Sequence, residues 1–197
     1  LGVHPLVTFF MGHSRMALES LAVLPVVNSL VFIFRSMGLS FQEVSIAVLG
    51  FDRRNLIVLK KFALRLAFFA SIALFLVAFS PVSHIWFRRI SGLSPDLSEF
   101  ALLPTRILSV IPALTVLLAF LRAFFVSKRR TKPITLATGI EVGTIVIFLF
   151  LSVEVLNLIG AIAAALAMVI GRLLADLYLI FIKGDVPQRD TPFPDSD

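Results

Sequence analysis

The sequence predicts an all-α fold, a polytopic transmembrane helix bundle, and three observations carry that prediction. Of its 197 residues 58% are hydrophobic and only 15% charged, the mean hydropathy is +0.99, and the apolar residues collect into long runs separated by short basic turns. An ordinary soluble domain has about 45–50% apolar and about 25% charged residues, so a soluble enzyme does not fit. Twenty Phe beside one Trp and one Tyr suit lipid contact and helix packing, with a sparse aromatic belt at the interfaces. No Cys is present, which removes disulfides, thiolate metal sites and Cys nucleophiles and leaves no signal of redox compartment. The net charge of +6 raises the question of nucleic acid. Its basic residues fall between apolar runs instead of covering a soluble face, so no nucleic-acid partner is expected.

A bilayer core takes about 20 mostly apolar residues in helical form. Residues 62–80, 101–126, 134–153 and 155–182 meet that length. Residues 16–50 exceed it and contain Pro25, Asn28, Arg35, Gly38 and Ser40; a kink or break near 35–40 is expected, with 41–49 lying at the interface. Residues 1–12 are apolar but short, with no initiator Met and no basic leader, and read as the second half of a severed helix. The count is therefore about six spans, the first truncated, and the chain reads as the C-terminal part of something larger. Residues 81–100 read as an external loop with a short amphipathic piece around Trp86. The Pro- and Asp-rich residues 183–197 read as a disordered tail.

Orientation follows from Lys and Arg in the short loops. Arg53, Arg54, Lys60, Lys61, Lys128, Arg129, Arg130, Lys132, Lys183 and Arg189 lie on one side, and Arg15, Arg88 and Arg89 on the other. Ten against three makes the first side cytoplasmic, with the C-terminus inside, as for an integral protein of a bacterial inner membrane.

No GxSxG, HExxH or phosphate-binding loop occurs, and His4, His13 and His84 are scattered, so no catalytic residue, metal site or cofactor is expected. His84 reads as a solvated loop residue. The small residues of 160–167 (GAIAAALA) allow close helix approach. Function then falls to ionisable residues at membrane depth, where a charge costs at least about 2.5 kcal/mol on insertion scales and faces a cavity or a partner. Arg65 and Arg122 lie about one turn from basic loops and can snorkel. Glu19 is a weaker candidate, placed to pair with Arg15; Asn28 is another, and Glu43 a third, lying past the expected break on the cytoplasmic side, in water. Arg35 lies about 22 Å from the outer boundary at helical rise, beside that break. Arg106, between Pro104 and Pro112, sits on a helix that the two prolines bend, where its guanidinium can point into a lumen. Glu141 lies about 10 Å deep between Gly139 and Gly143, which let another helix or water approach. Arg172 and Asp176, one turn apart, are spaced for an intrahelical pair.

Pro104-x-Arg106-Ile107-x-Ser109-x-x-Pro112, the basic turn Arg129-Arg130-Thr131, and Leu158-x-Gly160-Ala161 opening the last span resemble the C-terminal half of the progressive ankylosis family. That family belongs to the MATE/MOP exporter superfamily, whose members have two six-helix lobes. The resemblance covers residues 16–182 and implies the second lobe, entered partway through its first helix, with 16–50 in the place of the eighth helix. It further implies export of small anions such as pyrophosphate, citrate or nucleotides by alternating access against a missing N-terminal lobe. Arg106 matches the arginine of the family's Pro-x-Arg-Ile motif.

The expected function is thus half of a secondary transporter for a small or amphiphilic anion. Arg35 and Arg106 are its anion contacts, and Glu141 or Asp176 is the carboxylate linked to a coupling proton or sodium ion. Its partners are membrane lipid, the missing lobe and the anionic substrate. A lipid-linked oligosaccharide or polysaccharide flippase and cation-coupled multidrug efflux are the alternatives. A membrane-embedded transferase is a poorer fit, with Asp96 and Glu99 as its one close outer pair.

Overall fold

The computed structural model describes residues 3–51 and 55–184, and among these there is no strand. Arg53, Arg54 and residues 185–197 lie outside the described residues, as does the side chain of His4. The elements are α1 (Val3–Gly12), α2 (Ala17–Phe51), α3 (Leu56–Phe79), a helical turn α4 (Val82–His84) running into a π-helical turn (Ile85–Ile90), α5 (Pro95–Leu108), α6 (Ile111–Ser127), α7 (Lys132–Phe150) continued by a π-helical turn (Leu151–Val155), and α8 (Gly160–Gly184). Five stretches are long and apolar enough to cross a membrane: Ala17–Leu49, Leu56–Phe79, Pro95–Ser127, Lys132–Val155 and Gly160–Gly184. The chain is an all-α membrane bundle, and α1 is a short helix of 10 residues beside it.

α2 has 35 residues, about 52 Å at helical rise against a hydrocarbon core of about 30 Å, so it tilts or projects. The break expected near 35–40 does not occur. Ser36 returns its hydroxyl to the Ile33 carbonyl at 2.7 Å, as Ser29 and Ser45 do to Val26 and Phe41, which satisfies these groups without water. Gly38 serves a close helix crossing: a Cβ there would lie 3.1 Å from Thr115 Cγ2 and 3.1 Å from the Val116 backbone nitrogen of α6. Phe41 and Leu49, expected at the interface, are buried in the core that Phe120, Phe124 and Phe125 of α6 build with Leu179 of α8.

The fourth span starts earlier than residue 101. Ser94 caps α5, its Oγ accepting from the Leu97 N–H, and Pro95 follows in the first turn. The two prolines mark a real discontinuity, since the helix ends at Leu108 and restarts at Ile111. α6 then begins inside the bundle, and its Ala113 N–H donates to Ser71 Oγ of α3 at 3.0 Å. The expected outer loop is mostly helical: Phe87 is fully buried and Trp86 packs on the core formed by Val27, Leu74 and Leu108, while the His84 Nδ1, expected in water, is buried. Lys183 lies in the last turn of α8, not in a tail.

The start of α8 is tightly held. Gly160, Ala161, Ala163, Ala164, Ala165 and Ala167 are all buried, as the small-residue run predicts. Ala161 N–H donates to Ser20 Oγ of α2 at 3.0 Å, and Gly160 N–H to the Arg15 carbonyl at 3.3 Å. A side chain at Gly160 would run into Ser14. At the other end, Lys60, Lys128, Arg129, Arg130, Lys132 and Lys183 lie at or within about a turn of the ends of α3, α6, α7 and α8, called here the basic side.

Candidate functional site

Two close crossings carry the charges of four helices toward one another. α2 meets α6 at Gly38, and α7 meets α8 at Gly171, where a Cβ would lie 2.8 Å from Ile145 Cγ1 and 3.0 Å from the Glu141 carbonyl oxygen. Four side chains of this region are Arg35 on α2, Arg122 on α6, Glu141 on α7 and Arg172 on α8, with Asp176 one turn further on. Arg35, Arg122 and Asp176 each feel the charges of both Arg172 and Glu141. From the ends of α6, α7 and α8 on the basic side, Arg122, Glu141, Arg172 and Asp176 lie about 8–18 Å inward at helical rise.

The pairing differs from the one that spacing predicts. Arg172 does not bridge to Asp176; its Nη2 lies 3.0 Å from Glu141 Oε1 on α7. Arginine preceding the acid at i, i+4 is the weaker order of an intrahelical pair, and Glu141 approaches across the Gly171 crossing. Asp176 is 1% exposed, and neither of its oxygens accepts a hydrogen bond from a described residue. Arg122 donates from Nη2 to Thr138 Oγ1 at 3.4 Å, while its Nε and those of Arg35 and Arg172 are buried without a partner among the described residues. Three guanidinium groups thus face two carboxyl groups, and part of their hydrogen-bonding capacity is unused.

The other expected residues lie elsewhere. Arg106 is exposed, its guanidinium 4.8 Å above the Phe79 ring, which stacks on Phe75, and it does not join the cluster. Gly139 and Gly143 face open space, so the glycine that admits the neighbouring helix is Gly171. Arg15 and Glu19 form no ion pair among the described residues. Glu43 is exposed and Asn28 half-buried on α2. Asp96 and Glu99 are exposed near the start of α5, with no described group of three or more His, Asp or Glu residues able to hold a metal.

Arg122 is the member that snorkelling logic assigns to the interface. Seven of the eight residues of α6 from Leu118 to Phe125 are buried, all but Arg122 itself, and an arginine on a helix apolar all round has to meet the protein interior. That all-round apolar pattern is the sequence signal for it. Chemically, the guanidinium groups are permanent cations with planar donor forks suited to carboxylate or phosphate. Asp176 offers a buried carboxyl group, chemically of the kind that can exchange a proton or hold a small cation. No family model, curated protein or solved structure matches the chain.

Proposed function

We propose that the chain is one lobe of a secondary transporter for a small or amphiphilic anion, lying in a cytoplasmic membrane with its basic side inward. The observation that carries this reading is the cluster of Arg35, Arg122 and Arg172 against Glu141 and Asp176 inside an apolar bundle. Charges at that depth are costly and mark pathways and relays. Glu141 is occupied by Arg172, so Arg35 and Arg122 are the anion contacts and Asp176 is the carboxylate linked to a proton or sodium ion. The resemblance carried by Pro104, Arg106 and Ile107 supports the superfamily and the working partner, a second lobe against which this one rocks. Arg106 takes no part in binding.

The test uses proteoliposomes holding this lobe with its companion, and radiolabelled pyrophosphate and citrate as probes. Uptake driven by an imposed proton or sodium gradient is expected, with Arg35→Gln lowering it at least about tenfold, the scale of one lost charge-assisted contact. Asp176→Asn is expected to leave exchange at equal concentrations intact and to abolish gradient-driven accumulation. Failure of both probes to enter, or wild-type accumulation by both variants, overturns the reading.

A further inference from the structure

On the basic side, away from the charge cluster, α3, α6 and α8 enclose a second feature. A groove of about 250 Å³ opens between them, almost wholly apolar in its lining, with Lys60 and Lys183 as its two charged residues. Ala63 and Ala67, one turn apart on α3, leave the space; Phe120 and Leu121 of α6 wall it, and Ile180 of α8 closes one side.

The two lysines stand close enough to act on each other as like charges, and neither forms an ion pair with a described residue. Lys183 is held in place by rings, its Nζ 4.5 Å from the Phe120 centroid and 4.7 Å from that of Phe124. Such stacking orients the ammonium without supplying a counter-anion. Two cations at the mouth of an apolar slot at a membrane surface ask for a ligand with an anionic head and a hydrocarbon body. A soluble anion would satisfy only the mouth, and a neutral lipid only the slot.

We infer that this groove is a binding site for one anionic phospholipid, its phosphate between Lys60 and Lys183 and an acyl segment along Ala63 and Ala67. At about 30 Å³ for one water-sized unit, the cavity takes a short stretch of a single chain and no second lipid. Basic pockets between membrane helices recognise phospholipid head groups in this way. The site is independent of the transport reading, since it shares no residue with the charge cluster.

Native mass spectrometry of the detergent-solubilised protein, titrated with phosphatidylglycerol and with phosphatidylcholine of the same chains, tests it. Wild type is expected to retain one phosphatidylglycerol in preference to phosphatidylcholine. Lys60→Gln, at an exposed position, is expected to weaken that retention about fivefold, the worth of one basic residue at an anionic surface. Ala67→Leu, which fills the slot and keeps both lysines, is expected to weaken it as well. Inorganic phosphate at the same concentration is expected not to compete. Equal retention of the two lipids by wild type, unchanged retention in both variants, or displacement by inorganic phosphate would overturn the site.

Discussion

Removing the Glu141 carboxylate is the sharpest probe of how α7 and α8 are joined. Its Oε1 lies 3.0 Å from Arg172 Nη2, with the side chains 15% and 13% exposed, so solvent screening is slight. Breaking a buried pair by deleting one partner costs about 3–5 kcal/mol, because the other charge is left unopposed. The lower end applies here: Arg172 keeps the field of Asp176, and a loosened membrane helix finds other partners. Glu141→Gln is therefore expected to destabilise the fold by about 3 kcal/mol, about 150-fold in the folding equilibrium. Replacing both partners together, Glu141→Leu with Arg172→Met, is expected to come within about 1 kcal/mol of wild type, since neither member of the pair is left without the other and one of three crowded cations is gone. Reversible unfolding in mixed detergent and dodecyl sulfate micelles, followed by far-ultraviolet circular dichroism, measures all three. Additive single costs in the double variant, or a Glu141→Gln cost below about 1 kcal/mol, would refute the argument.

Three further outcomes follow from the packing. Gly171→Ala is expected to cost about 1–3 kcal/mol by overpacking against Ile145 and the Glu141 carbonyl, whereas Gly139→Ala, whose Cβ meets nothing, is expected to stabilise by about 0.5–1 kcal/mol through helix propensity; the same unfolding assay reads the opposite signs. Ser20→Ala strips the Ala161 N–H of its acceptor and is expected to cost about 1–2 kcal/mol, visible as a lower melting temperature and faster amide exchange at the start of α8. Arg106→Ala is expected to cost under about 1 kcal/mol, the value of an exposed cation–π contact, and to leave anion uptake at the wild-type rate in the proteoliposome assay.

Hydropathy made the spans legible, because a bilayer imposes one length and one solvent on every crossing helix. The bend between Pro104 and Pro112 was legible for the same local reason, a missing donor that no neighbour can supply. Features set by the neighbours of a helix were not. Arg35, Gly38 and Ser40 look like an interruption when read along α2, yet the glycine lies against Thr115 and Val116 and the neighbouring Ser36 bonds back to its own helix. Arg172 and Asp176 have the spacing of a pair, but Glu141 lies on another helix and its carboxylate won. Arg35, Glu141, Arg172 and Asp176 were found by the cost of charge at depth, which is a property of single residues. Arg122 was hidden by its closeness to a basic turn, and Arg106 was promoted by a motif whose surroundings place it over Phe79.

The Glu141 to Arg172 bridge also bears on how the chain enters the bilayer. α8 carries Arg172 and Asp176, and a lone helix presenting both to lipid forfeits about 5–7 kcal/mol of its insertion energy. α7 carries the neutralising carboxylate, and only residues 156–159 separate its terminal π-helical turn from α8. The two helices therefore gain by leaving the insertion machinery as a closed hairpin with the bridge already made. The Glu141 substitution that weakens the finished fold would then also leave a fraction of newly made chains with α8 stranded outside the membrane, a defect that glycosylation mapping of the C-terminus during synthesis can count.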